Sequence, residues 1–308
     1  MKKSILATAF VIVSSILSLP AKAASFSEVY VFGDSLSDTG NFFQVTGIPP
    51  KPYFDGRASN GPLWVEYLAI ELELSPNPNT NFAFFGATTG ELNTEVASLP
   101  ALQQQVNNFT QNTPVADSNA LYTIWAGAND YLNENITDTT IPVNNLITAV
   151  NSLAEIGAKD IMVVNLPDLG DLPGINSDPV IASFLNNISE SHNSLLNQSL
   201  NQLENSKVNL TLLDVNSLVK NVINNPENFG FTNGTDACLN IEAQTICNNP
   251  NEYVFWDGIH PGTNAHQIIG EFAAQELENQ TTTVPEPNVT FAILTFGVLG
   301  IVTKQKKG

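Results

Sequence analysis

Val29-Tyr30-Val31-Phe32-Gly33-Asp34-Ser35-Leu36-Ser37-Asp38-Thr39-Gly40-Asn41 is the stretch on which the fold turns. A β-branched and aromatic run stops at a glycine, an acid and a serine follow, and a polar turn comes next. A strand that ends this abruptly, with a serine just past its C-terminal end, suits a nucleophile presented at the edge of an α/β sheet. The same residues suit an ordinary strand-to-helix turn, in which Asp34 or Ser35 only caps backbone N–H groups. The chain that follows has to discriminate.

Downstream the pattern alternates. Gly61-Pro62 opens a helix over 63–70, proline being favoured in the first turn. Residues 81–86 form a second short strand ending in glycine, and a helix follows around 99–109. Residues 121–125 form a third strand that enters Ala126-Gly127-Ala128-Asn129-Asp130. Apolar residues at Val143, Leu146, Ile147, Val150, Leu153 and Ala154 recur at helical spacing over 142–156. A fourth strand, 161–164, is nearly all apolar, as in a sheet covered on both faces. A long helix over 180–203 carries a stripe of Ile181, Phe184, Leu185, Ile188, Leu195, Leu196 and Leu200, and 208–213 is the fifth strand. Asn- and Gly-rich residues 226–251 interrupt the rhythm. Tyr253-Val254-Phe255-Trp256 then leads into Asp257-Gly258-Ile259-His260-Pro261-Gly262 and a final helix over 263–277. Strands alternating with helices predict a parallel five-stranded sheet in a three-layer α/β/α fold.

The two ends read as addresses. Lys2-Lys3, the apolar run 5–19 and Ala21-Lys22-Ala23 have the three parts of a secretory signal over residues 1–23. That leaves a body of 24–280 and a terminal segment of 281–308. The whole chain carries a net charge of −19, but six of its eleven basic residues lie in these ends. The body keeps five basic against 29 acidic residues, a net −24, which disfavours nucleic acid and anionic membrane surfaces as partners. Export suits the two cysteines, Cys238 and Cys247, as one small-loop disulfide. The alternative, a pair of metal ligands, lacks further Cys or His at a suitable spacing.

The terminal segment joins Val284-Pro285-Glu286-Pro287 to an apolar run, 289–302, and then Lys304-Gln305-Lys306-Lys307. This ending resembles the PEP-CTERM sorting signal, which implies an exosortase-type processing enzyme as partner and transient membrane contact through the tail. A plain C-terminal transmembrane anchor is the alternative. The run is short against the roughly 20 residues a spanning helix needs.

Three histidines narrow the search for chemistry. His192 falls on the apolar stripe of its helix and reads as structural, and His266 as a surface or packing residue. His260 lies on a loop with Asp257 three residues before it. An Asp-x-x-His spacing lets the carboxylate hold one ring nitrogen and leaves the other to take a serine proton. Gly86 and Asn129 each follow a predicted strand, so in a parallel sheet they reach the same edge as Ser35 and can donate to an oxyanion. Their structural alternatives are a turn glycine and a helix cap. Phe42, Phe43, Tyr53 and Phe54 either line an acyl pocket or pack a loop.

Gly33-Asp34-Ser35-Leu36, Gly86 within residues 81–87, Gly127-Ala128-Asn129-Asp130 and Asp257-Gly258-Ile259-His260-Pro261 resemble the four ordered blocks of the SGNH/GDSL hydrolases. Ser37-Asp38-Thr39-Gly40-Asn41 and Gly56-Arg57-Ala58-Ser59-Asn60-Gly61 are similar to the lecithinase/haemolysin-like GDSL esterase–lipase branch. The resemblance implies a flavodoxin-like sheet, Ser35 as nucleophile, His260 as base and Asp257 as its orienter. It places the oxyanion hole on the N–H groups of Ser35 and Gly86 and the amide of Asn129. It implies ester hydrolysis through an acyl-enzyme, on a small-molecule or lipid ester, with no metal or organic cofactor. The G-x-S-x-G elbow of ordinary α/β-hydrolases is missing, since Ser37 stands where its second glycine belongs. The competing expectation is an envelope-displayed binding or structural protein that retains the hydrolase fold.

Overall fold

The computed structural model describes residues 25–203 and 208–283. The leader over 1–23 and the Pro-Glu-Pro tail lie outside the described residues.

Four parallel strands, β1 (Val29–Gly33), β2 (Leu121–Trp125), β3 (Asp160–Val164) and β4 (Asn209–Leu213), lie side by side in chain order. Outside β1 the predicted strand at 81–86 is reduced to a single parallel bridge, Val31 to Asn81. Its N–H groups still follow β1: Phe82 donates to the Val31 carbonyl (2.8 Å) and Phe84 to that of Gly33 (3.1 Å). The segment therefore fills the fifth position of a flavodoxin-like order. It does not mature into a strand because the Gly33 N–H, which would return a bond to the Phe82 carbonyl, is taken by Gln105 Oε1 (2.9 Å); the segment's outer polar groups are satisfied elsewhere. Asn81 Oδ1 accepts from the Ala83 N–H, and Asn41 Nδ2 donates to the carbonyls of both Asn81 and Ala83.

The helices are α1 (Asn41–Thr46), α2 (Trp64–Glu71), α3 (Leu102–Asn112), α4 (Ala128–Leu132), α5 (Thr140–Glu155), α6 (Pro179–Leu203), α7 (Val215–Asn224) and α8 (Thr263–Thr283). The strand alternation sorts them into layers. Val29, Val31, Leu121, Trp125, Met162 and Val164 face a core shared with α2 and α8. Phe32, Tyr122, Ile124, Ile161 and Val163 face the opposite core, shared with α3, α5 and α6. Burying both faces of every strand produces the uninterrupted apolar runs seen in the sequence.

Three expectations shift. α8 runs to Thr283, three residues into the terminal segment. Ile181 and Phe184, at the start of the predicted stripe, stand about half exposed, 48% and 51%. With 25 residues α6 is about 37 Å long, more than twice the length of a five-residue strand, about 17 Å, so its first turns overhang the sheet. The interruption at 226–251 is partly regular. β5 (Asn233–Ala237) pairs in parallel with β8 (Tyr253–Phe255), and β6 (Leu239–Asn240) with β7 (Thr245–Ile246) forms a hairpin. A Cys238–Cys247 disulfide closes that hairpin.

Candidate active site

The loops of Ser35, Gly86 and Asn129 leave the main sheet at its C-terminal edge, and the loop of Asp257 and His260, which follows β8 of the small two-stranded sheet, comes to the same edge. β1 and β2 approach so closely there that a Cβ on Gly33 would lie 2.2 Å from the Trp125 carbonyl oxygen. Gln105 on α3 grips the glycine from the other side, accepting from its N–H (2.9 Å) and donating to its carbonyl (2.8 Å). The chain then turns through Asp34, whose Oδ1 accepts from the Leu36 N–H and whose carbonyl accepts from the N–H groups of Ser37 and Asp38. That turn lifts Ser35 out of the sheet.

The end of the chain meets it there. His260 Nε2 lies 3.0 Å from Ser35 Oγ, and His260 Nδ1 lies 2.9 Å from Asp257 Oδ2. Asp257 is fixed in turn, with Oδ1 accepting from the N–H groups of Ile259 and His260 and Oδ2 from the Tyr53 hydroxyl (2.8 Å). Burial alone would raise the Asp257 pKa, but the charge of His260 and these donors overturn that and hold it at about 2. Burial likewise opposes charging of His260; the Asp257 carboxylate, with Asp34 and Glu95 further off, outweighs it and raises the imidazole above its usual value. The buried pair is therefore an ionised carboxylate beside an imidazole made more basic, as proton removal from a serine requires.

Gly86 lies on the neighbouring loop, directly after Phe85, which lines the cavity at Ser35. Its φ of 77° is a glycine conformation, and a Cβ there would meet Glu95 Cγ at 2.6 Å and Asn93 Oδ1 at 2.9 Å. Two buried side chains hold the loop: Asp38 Oδ2 accepts from the Phe85 N–H and Asn93 Nδ2 donates to the Phe85 carbonyl. Asn129 opens α4 beyond β2. Its Nδ2 donates to the Ala87 carbonyl (3.0 Å) and its Oδ1 accepts from Asn133, which fixes the amide orientation. Among the described residues, the Ser35 and Gly86 N–H groups donate to no protein acceptor.

The structure thus brings Ser35, Asp257, His260 and Asn129 around one cavity, with Gly86 directly after its wall residue Phe85. The other histidines stay apart. His192 is buried with Nδ1 on the Tyr131 hydroxyl, and burial lowers its pKa to about 4. His266 is fully buried and accepts from the Trp64 N–H, with a pKa pushed down by burial to about 3. Of the four aromatics near the first loop only Tyr53 reaches the cavity. Phe42 is buried against Phe85, Phe43 packs over Gly56, and Phe54 lies under the Arg57 guanidinium. Sequence reasoning missed Asp38, Asp130, Asn93 and Gln105 as supports, and the bond from Tyr53 to Asp257. Of these, Asp38 and Asp130 lay in stretches the sequence singles out, Ser37-Asp38-Thr39-Gly40-Asn41 and Gly127-Ala128-Asn129-Asp130.

Site and fold together define a serine hydrolase that works at the edge of a three-layer α/β/α sheet. The chain belongs to the GDSL-like lipase/acylhydrolase family, whose model matches residues 29–273, and it is accordingly an ester-hydrolysing enzyme. It is 28% identical to a phosphatidylcholine-sterol acyltransferase from Aeromonas hydrophila, over 88% of this chain and 97% of that one. It is 29% identical to a thermolabile hemolysin from Vibrio parahaemolyticus, over 82% of this chain but 64% of that protein's length. Among solved structures, Est24, a carbohydrate acetylesterase from Sinorhizobium meliloti, superposes with a TM-score of 0.48 at 17% identity, covering 82% of this chain and 99% of its own.

Proposed function

We propose that this protein is an exported esterase that cleaves carboxylic esters through an acyl group carried on Ser35. The observation that carries this reading is the unbroken line from Ser35 Oγ through His260 to Asp257, with contacts of 3.0 and 2.9 Å. As Ser35 Oγ bonds to the ester carbonyl carbon, its proton passes to His260 Nε2. The oxyanion that forms accepts from the N–H groups of Ser35 and Gly86 and from Asn129 Nδ2. Collapse breaks the bond to the alcohol oxygen, and the alcohol leaves with the proton from His260. Water then attacks the acyl-serine, giving a proton to His260; the carboxylic acid departs and Ser35 Oγ recovers its proton.

Export is supported by the three-part leader over 1–23 and by the disulfide, which persists in an oxidising compartment. The tail is read as a sorting segment handled by an exosortase-type enzyme after brief membrane contact. The acidic body favours neutral over anionic substrates. An organophosphonate carrying a reporter tests the chemistry: it is expected to label Ser35 in the full chain and to fail on His260→Ala. Ester turnover that survives Ser35→Ala would overturn the reading.

A further inference from the structure

The cavity at Ser35 extends well past the catalytic groups. It measures about 350 Å³ and is two-sided. Asp34 and Tyr53 beside the catalytic groups, with Glu95, Asn129 and Asn133, line its polar part. The remaining wall comes from the ends of several elements and is mostly apolar, with Trp125 at the end of β2, Leu172 beyond β3, Val215 and Val219 on α7, and Ile269 on α8. Trp125, Val215 and Ile269 are core residues, exposed by no more than 2%. Behind this wall lies a second void of about 20 Å³, lined by apolar side chains of α7, β8 and α8, and it shares Val219, Phe255, Pro261 and Ile269 with the first.

Protein cores pack with few voids larger than a water molecule, so an apolar recess that opens beside a nucleophile calls for an occupant. A sugar or other polyhydroxylated group in such a recess would leave its hydroxyls unpaired. An acetyl group would leave most of it empty. An unbranched hydrocarbon fits both the chemistry and the volume. Scaled from an apolar cavity of about 150 Å³ that takes a benzene, the recess without its polar mouth takes a chain of about eight to twelve carbons.

Building on the hydrolase reading above, we propose that this recess is the acyl-chain subsite and selects medium-chain fatty acyl esters over acetyl esters. The alcohol part stays at the polar mouth. The shared wall of Val219, Phe255, Pro261 and Ile269 sets the length limit.

The test is a series of p-nitrophenyl esters from acetyl to palmitoyl, hydrolysed by the full chain. Each methylene buried is expected to raise kcat/KM about fourfold until about ten carbons, with a fall beyond. Val219→Trp, which thickens the wall, is expected to cut the decanoyl-to-acetyl ratio at least tenfold. Ile269→Ala, which opens the front recess to the void behind, is expected to move the optimum to longer chains. Should Val219→Trp fail to fold, the wild-type series and Ile269→Ala decide. Brisk acetyl turnover with a flat or falling response to length overturns the inference and leaves the hydrolase reading intact. Absence of turnover at every length overturns both.

Discussion

Tyr53→Phe separates a positioning role from simple packing. The hydroxyl donates to Asp257 Oδ2 at 2.8 Å, while the ring stands edge-on to Trp256 and packs against the disulfide cluster of Cys238 and Leu239. Burial and the nearby carboxylate raise the phenol pKa, so it remains a donor across the working pH range. The substitution removes one oxygen and keeps the ring. A hydrogen bond to a charged group contributes about 1.5–3 kcal/mol, so its loss raises the Asp257 pKa by about one to two units. From about 2 that leaves the carboxylate ionised at neutral pH. Its charge is then less dispersed and falls more heavily on His260 Nδ1, which stabilises the imidazolium. The His260 pKa, already raised, rises further. The residue takes the serine proton only when neutral, so the acid limb of kcat/KM moves to higher pH, by about half to one unit. On the plateau, looser orientation of Asp257 lowers kcat about three- to tenfold. The assay is kcat/KM from pH 5 to pH 10 on wild type and variant, with thermal melts to confirm folding. An acid limb that stays in place or moves down would refute the reasoning and leave Tyr53 as a packing residue.

Two further perturbations probe the oxyanion donors and the buried histidines. Asn129→Ala removes Nδ2 and is expected to lower kcat about a hundred- to a thousandfold with KM little changed; a raised KM at constant kcat would take Asn129 out of transition-state stabilisation. His266 has a folded-state pKa of about 3 against an ordinary 6.5, so as pH falls below 6.5 the unfolded chain binds a proton that the folded chain does not, and stability declines. His266→Asn places an amide oxygen where Nδ1 accepts from the Trp64 N–H, so the variant melts lower at pH 8 but loses less Tm between pH 8 and pH 5; an equal loss in both proteins would show that His266 does not carry this dependence.

The catalytic blocks were legible because each pairs a strand end with a residue type of specific chemistry. Strands read as apolar runs because both sheet faces are covered, and Ser35, Gly86, Asn129 and His260 each follow one. What stayed hidden depends on distant pairs of common residues. Tyr53 and Asp257 are 204 positions apart, and Gln105 and Gly33 are 72 apart, so no local spacing announces either bond. Residues 81–84 misled for a related reason. Their apolar character and backbone bonding are those of a strand, but Gln105, from another element, takes the Gly33 N–H and ends the ladder, and Asn41 covers the outer edge. On α6 the period placed Ile181 and Phe184 on the apolar face correctly. The sequence carried no measure of where the sheet beneath them stops.

The buried acids outside the triad explain how a site made of loops can be rigid. Asp38 collects the N–H groups of Gly40, Asn41, Phe42 and Phe85, which ties the segment after Ser35 to the loop of Gly86. Asp130, next to Asn129, takes the N–H and hydroxyl of Thr89, which ties that same loop to α4. The three proposed oxyanion donors are therefore braced against one another through carboxylates, so that on this reading the reaction needs no reorganisation of them. This bracing has an energetic cost: burial raises the pKa of Asp38, and that of Asp130 to about 6. The acid of the serine turn, Asp34, is likewise pushed up by burial, to about 7. Asp34 lines the same cavity as His260, and each shifts the other's titration. As Asp34 ionises near neutrality it stabilises the imidazolium, so the acid limb of kcat/KM belongs to the Asp34–His260 pair rather than to the imidazole alone. Asp34→Asn, which abolishes that ionisation, should therefore move the limb to lower pH, opposite to the shift expected of Tyr53→Phe. A limb that does not move would mean that Asp34 acts only on the backbone of the turn.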